Sequence, residues 1–119
     1  MEKELTQLLE DNLKQIFGER DEVRRMAAIK KIYSKDFTVF EVGGLVKGYD
    51  DLAKHINAIL KNLPPDFVFK KIKPVIINNN VGRMVWGLGP EGKDPVATGM
   101  DIVHFEEGKI KSLYVFLDN

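Results

Sequence analysis

The chain has 119 residues, 44% of them hydrophobic and 30% charged, a composition that suits a folded core and not a disordered chain. Lysine plus arginine and aspartate plus glutamate each total 18, and this balance argues against a dedicated binder of nucleic acid or of anionic membranes. There is no cysteine, which excludes disulfides, thiol nucleophiles and thiolate metal sites.

Leu5, Leu8, Leu9, Leu13, Ile16 and Phe17 repeat at helical spacing, and Gly18 is a natural stop. The same twenty residues carry Glu2, Glu4, Glu10, Asp11 and Glu19 and no continuous apolar run. Neither a signal peptide nor a membrane span is expected, and the cytoplasm is the expected location. Val23, Met26, Ala27, Ile29 and Ile32 predict a second helix ending near Ser34 and Lys35. Asp36–Val42, β-branched and aromatic, predicts a strand that Gly43 and Gly44 break. A third helix is predicted from Gly48, with Leu52, Ile56, Ile59, Leu60 and Leu63 on its apolar face and Pro64-Pro65 after it.

Beyond the prolines the pattern turns to strands. They are predicted at Asp66–Ile77, with Pro74 at an edge or bulge, then at Val81–Leu88, Pro95–Phe105 and Lys109–Leu117. Turns fall at Asn78–Asn80 and Glu106–Gly108, and a loop at Gly89–Asp94. Three helices and one early strand followed by a four-strand antiparallel meander predict a single α+β domain over residues 1–119, with the helices on one face of a curved sheet. In the last strand Leu113, Val115 and Leu117 point one way and Tyr114 and Phe116 the other. Both faces are apolar, so the face away from the helices is expected to meet a second copy of the chain.

Several motifs dissolve on inspection. Gly87–Gly92 (GLGPEG) matches a dinucleotide fingerprint in letters only, because it lies between two strands and contains Pro90. The clusters Lys70–Lys73 and Arg24-Arg25 read as solvated faces. The two histidines, His55 and His104, lack metal-site spacing, so neither a metal nor another cofactor is expected. Asp101 is the anomaly: it sits between Met100 and Ile102 in an apolar strand, where an unpaired buried carboxylate costs several kcal/mol. Either it faces water, or a partner satisfies it, or it does chemistry. His104 has the opposite strand parity and cannot share its face.

In order and content, the leading helices, YSKDFTVFE (Tyr33–Glu41), GYDDLAKHI (Gly48–Ile56), LPPDFVF (Leu63–Phe69) and TGMDIVHFEEGKIKSLYVFLD (Thr98–Asp118) resemble the SnoaL-like members of the nuclear transport factor 2-like superfamily. The resemblance runs essentially end to end. It implies a cone-shaped α+β fold, in which three N-terminal helices pack in a strongly curved, mainly antiparallel sheet around a deep pocket. It also implies a homodimer through the outer sheet face.

Against the ketosteroid isomerase branch, the resemblance places Glu41 at the position of the catalytic base and Asp101 at that of an acid kept neutral to donate a hydrogen bond. Phe17 stands where that branch has its main oxyanion donor, a tyrosine, and Ile56 where it has a supporting tyrosine, while Tyr33 retains a network tyrosine. Steroid isomerisation itself is therefore not implied, since a lost oxyanion donor costs about 10²–10³ in rate. By the same matching the pocket wall holds Met84, Trp86, Leu88, Leu113, Val115 and Leu117, with His55 within reach from the third helix, and suits a small apolar molecule.

Alternatives stay open at each site residue. Asp101 could be a structural carboxylate, Trp86 a core aromatic, and Glu41 a rim residue with Thr38 and Phe40 facing the core instead. Three functions fit: an acid–base enzyme of isomerase, cyclase, dehydratase or hydrolase type, a non-catalytic ligand binder, or a dimeric interaction module.

Overall fold

A computed structural model describes residues 1–118. Helix α1 (Glu2–Asp11) runs unbroken into a π-helical segment, Asn12–Phe17, which widens its last turns. Leu5, Leu9, Leu13 and Ile16 are buried along one side, as their spacing predicts. Helix α2 (Glu22–Ile32) starts at Asp21, whose side chain accepts hydrogen bonds from the amides of Val23 and Arg24, both at 3.0 Å.

The buried face of α2 differs from the predicted one. Val23 is exposed, and Arg25, Ala28, Ile29 and Ile32 point inward. An arginine can take an inward position here because its guanidinium donates to Glu19 O and to Asn57 Oδ1. The helix also ends earlier than expected, and strand β1 (Tyr33–Glu41) follows without a linker.

On β1 the inward residues are Tyr33, Phe37 and Val39, not Thr38 and Phe40. Glu41 has the same parity as Phe37 and Val39 and so continues the inward face. The two glycines do not end the sheet. Gly43, at φ 85°, takes a conformation that L-residues disfavour and turns the chain into a further strand, β2 (Gly44–Lys47), hairpinned on β1. Helix α3 (Tyr49–Lys61) buries Leu52, Ile56 and Leu60 as predicted.

The long strand expected over Asp66–Ile77 is two. Strand β3 (Phe67–Lys71) and strand β4 (Ile76–Asn78) both pair with β5 (Val81–Pro90). Lys71 pairs with Trp86 and Ile76 with Arg83, so the chain between β3 and β4 bulges out around Pro74, which has no amide to give to a ladder. Strand β6 (Ala97–Glu106) begins after the expected Pro95, and β7 (Lys109–Asp118) closes the chain.

The sheet has seven strands in the order β2-β1-β7-β6-β5-β3, with β4 also on β5. The meander is antiparallel, but β1 runs parallel to β7, so the sheet is mixed. The core fills the space between its inner face and the helices. On β7 the inward series falls from Leu113 in the core, through half-buried Val115, to exposed Leu117 at the rim. The outer face carries Phe40 stacked on Tyr114, with ring centroids 4.4 Å apart and planes 5° from parallel.

Candidate functional site

A cavity of about 310 Å³ opens where the helices diverge from the sheet. Its two carboxylates come from different strands: Glu41 is the last residue of β1, and Asp101 lies mid-way along β6. The apolar walls include Phe17 from the π-helical segment, Trp86 and Leu88 from β5, and Val115 and Leu117 from β7, and His55 joins from α3. The cavity thus gathers both predicted carboxylates and six of the predicted lining residues.

Three expected residues lie outside that lining. Met84 and Leu113 are buried in the core beneath it, and Met84 is the direct cross-strand partner of Asp101. Tyr33 is fully enclosed and donates its hydroxyl proton to Asn12 Oδ1 at 2.6 Å rather than to the cavity. Their parity is right; their position along the strand is too deep.

Four lining residues escaped the sequence reading: Leu13, Ile59, Phe69 and Ala97. Two had a signal. Leu13 is one helical turn before Phe17, and Ile59 one turn after His55. Phe69 had none, because its edge-on contacts with Phe17 (6.2 Å) and Trp86 (5.8 Å) depend on where β3 docks.

Each carboxylate has one named partner. Trp86 Nε1 donates to Asp101 Oδ1 at 3.0 Å, in a buried setting. His55 Nε2 and Glu41 Oε1 are also 3.0 Å apart, half-buried at the cavity wall. A carboxylate there can only accept, so the imidazole donates through Nε2.

Burial pushes the Asp101 carboxyl up from 3.8 to about 7; the Trp86 N–H opposes this and the charge of Glu41 adds to it. Burial likewise lifts the Tyr33 phenol well above its ordinary value, with the Asp101 charge reinforcing the effect and the bond to Asn12 opposing it. The arrangement can hold a proton on one side of an apolar cavity and accept one on the other. Among the described residues no three His, Asp or Glu side chains cluster to hold a metal ion.

A larger, open groove of about 630 Å³ lies between the first helix and β3. Two of its charged walls, Lys71 and Glu10, pair with each other, and neither Asp101 nor Glu41 reaches it. Asp101 and Glu41 both line the smaller cavity.

The sequence pattern of the SnoaL-like domain matches residues 18–113, and the chain belongs to that family. Among solved structures, it is similar over its whole length to a candidate isomerase of the SnoaL-like family from Agrobacterium tumefaciens, at 25% identity with a TM-score of 0.87 and 100% of each chain covered. A candidate ketosteroid isomerase from Kribbella flavida is 10% identical with a TM-score of 0.73, over 98% of this chain and 79% of that one. A candidate SnoaL-like polyketide cyclase from Jannaschia is 12% identical with a TM-score of 0.75, over 98% and 86%. At these last two identities the likeness is one of fold. No curated protein of known function matches the sequence.

Proposed function

We propose that the protein is an acid–base enzyme that enolises a small, largely apolar carbonyl compound. The observation that carries this reading is the pairing, in one cavity, of two carboxylates in unlike settings: Asp101 buried and pushed toward neutrality, Glu41 half-buried beside His55. Glu41 removes a proton from the carbon next to the carbonyl. The electron pair moves onto the carbonyl oxygen, which takes a hydrogen bond from neutral Asp101. Return of the proton from Glu41 to a conjugated carbon completes an isomerisation; alternatively, attack of the enolate carbon on a second carbonyl of the same molecule closes a ring, and the alkoxide formed as that carbonyl's π bond breaks takes the proton that Glu41 holds. Both outcomes share the first step and need no cofactor. The names of the structural neighbours, isomerase and polyketide cyclase, fit these two outcomes.

The test is deuterium uptake next to the carbonyl of small cyclic β,γ-unsaturated ketones and β-diketones in D₂O, followed by proton NMR. Catalysed exchange that falls at least tenfold in Glu41→Gln supports the reading. Ligands that bind with no exchange above buffer would replace it with a non-catalytic binding function.

A homodimer through the outer sheet face is part of the same proposal. Tyr114 is 40% exposed and Phe116 51%, next to Phe40 and on one side of β7. Such a row of aromatic rings without a cover suits a self-complementary contact.

A further inference from the structure

Trp86 lies directly opposite Gly99 in the β5–β6 register, and Asp101 is two residues further along β6 on the same inward face. The indole crosses the strand over the glycine. A Cβ at position 99 would stand 2.3 Å from Trp86 Cζ2, 2.8 Å from Trp86 Cε2 and 2.7 Å from the carbonyl oxygen of Phe116. No side chain fits there with the ring in place, so the absence of one is what lets the indole lie flat enough to reach Asp101. On the other side, Phe69 meets the indole edge-on at 5.8 Å and 68°.

The orientation has a chemical consequence. An indole N–H has no lone pair in the ring plane and can only donate. The oxygen it meets, Oδ1, is therefore held as an acceptor, the role of the acid's carbonyl oxygen, and the acid proton is favoured on the other. The other oxygen has no hydrogen-bond partner among the described residues. Among the described residues the one fully enclosed side-chain polar atom lacking a partner is Arg83 Nε, so Asp101 Oδ2 is open to the cavity that the residue lines.

We propose that Trp86, seated on Gly99, is a positioning residue that holds the Asp101 carboxyl with its acid proton on Oδ2, so that the cavity recognises neutral ligands through a carbonyl-type oxygen. This names the ligand-facing donor for the enolisation reading and rests on it for the ligand class. The orientation itself requires no turnover.

Other titratable groups bear on Asp101: Glu41 from β1, through its charge, and His55 from α3, which lines the same cavity, while the Tyr33 phenol on β1, held well above its ordinary value, stays neutral. The experiment therefore reads Asp101 and its partner directly. The chain has one tryptophan, so the indole ¹H–¹⁵N resonance is unambiguous. It is followed from pH 5 to pH 9 beside the carboxyl carbon of Asp101. The two are expected to move with one midpoint, the indole proton shifting downfield as the carboxylate forms and the bond becomes charge-assisted. A flat indole resonance across the Asp101 titration overturns the proposal.

Gly99→Ala supplies the second arm. Displacing the indole removes a bond that favours the charged form, so the Asp101 midpoint should rise by about one pH unit. In a Trp86→Phe background, which has no N–H to lose, the same substitution should add no further rise. A glycine needed only for packing would lower stability and leave the midpoint alone, and that result also overturns the proposal. If Gly99→Ala does not fold, Trp86→Phe alone must raise the midpoint.

The ligand class is read with 2-decalone and its hydrocarbon, decalin. Ketone affinity should fall roughly tenfold between pH 6 and pH 8, as the neutral acid is depleted, while decalin is indifferent to pH. A ketone affinity independent of pH would sink the ligand class. Absence of turnover, by contrast, would sink the enolisation reading and leave the indole result standing.

Discussion

His55 Nε2 on α3 donates to Glu41 Oε1 at the end of β1 across 3.0 Å, and this contact ties the third helix to the first strand at the cavity wall. It also turns a rim carboxylate into an oriented one. The His55 and Glu41 side chains keep 28% and 23% of their exposure, so water screens the pair and its share of stability is small.

His55→Ala should therefore separate function from folding. The expected loss of stability is about 1 kcal/mol or less, measured by urea denaturation at pH 7. The expected loss of exchange activity on an enolisable ketone is about tenfold or more, because Glu41 is no longer held in one orientation. Equal activity in the variant and the parent would remove His55 from the site's chemistry.

Asp101 makes the folded state sensitive to pH in a defined direction. Its folded value, about 7, lies above the ordinary aspartate value of 3.8, so between the two the native state binds a proton that the unfolded chain has already released. The resulting stability is fully present below pH 4, falls by roughly 1.4 kcal/mol for each pH unit between the two values, and is lost above pH 7. Asp101→Asn keeps an oxygen for the Trp86 N–H and cannot ionise. The variant should unfold at a denaturant concentration that varies less between pH 4 and pH 7, and should be more stable than the parent at pH 8. A variant that is less stable than the parent at pH 8 would contradict the buried neutral acid.

Assembly is checked on the outer face. Phe116→Glu puts a charge where the dimer is proposed, while leaving the inward residues of β7 in place. Sedimentation equilibrium should give a dimer for the parent and a monomer for the variant, since an unpaired charge in an apolar contact is costly. A parent that sediments as a monomer at high micromolar concentration would dispose of the homodimer.

Much of the architecture was legible as local pattern. The first and third helices came from apolar spacing and from the breaks at Gly18 and Pro64. The meander came from alternation and from turn residues such as Asn79 and Gly108, both at positive φ. The second helix was legible as a helix but not by face. A buried Arg25 satisfied by Glu19 and Asn57 breaks the rule that inward residues are apolar, and both partners come from outside the helix. The break between β3 and β4 was signalled by Pro74, yet whether a proline bulges a strand or ends it depends on the neighbour it leaves.

The site divides in the same way. Asp101 stood out because a carboxylate in an apolar strand demands an explanation, and residue type alone raises the demand. Which explanation held depended on Trp86, fifteen positions earlier in the chain. Their contact needs the β5–β6 register that sets Trp86 against Gly99. For Glu41 the sequence left two faces open; Phe37 and Val39, buried against the helices, decided for the inward one.

The sequence by itself determined where the chain is helical, where it is extended, where it turns, and which residues are chemically out of place, because these follow from backbone geometry and side-chain type over a few neighbours. The tertiary structure alone decided which face of each element is inward, how deep along a strand the cavity begins, and which distant group meets each carboxylate. Those outcomes come from register and docking, where burial summed over the whole core outweighs any local preference.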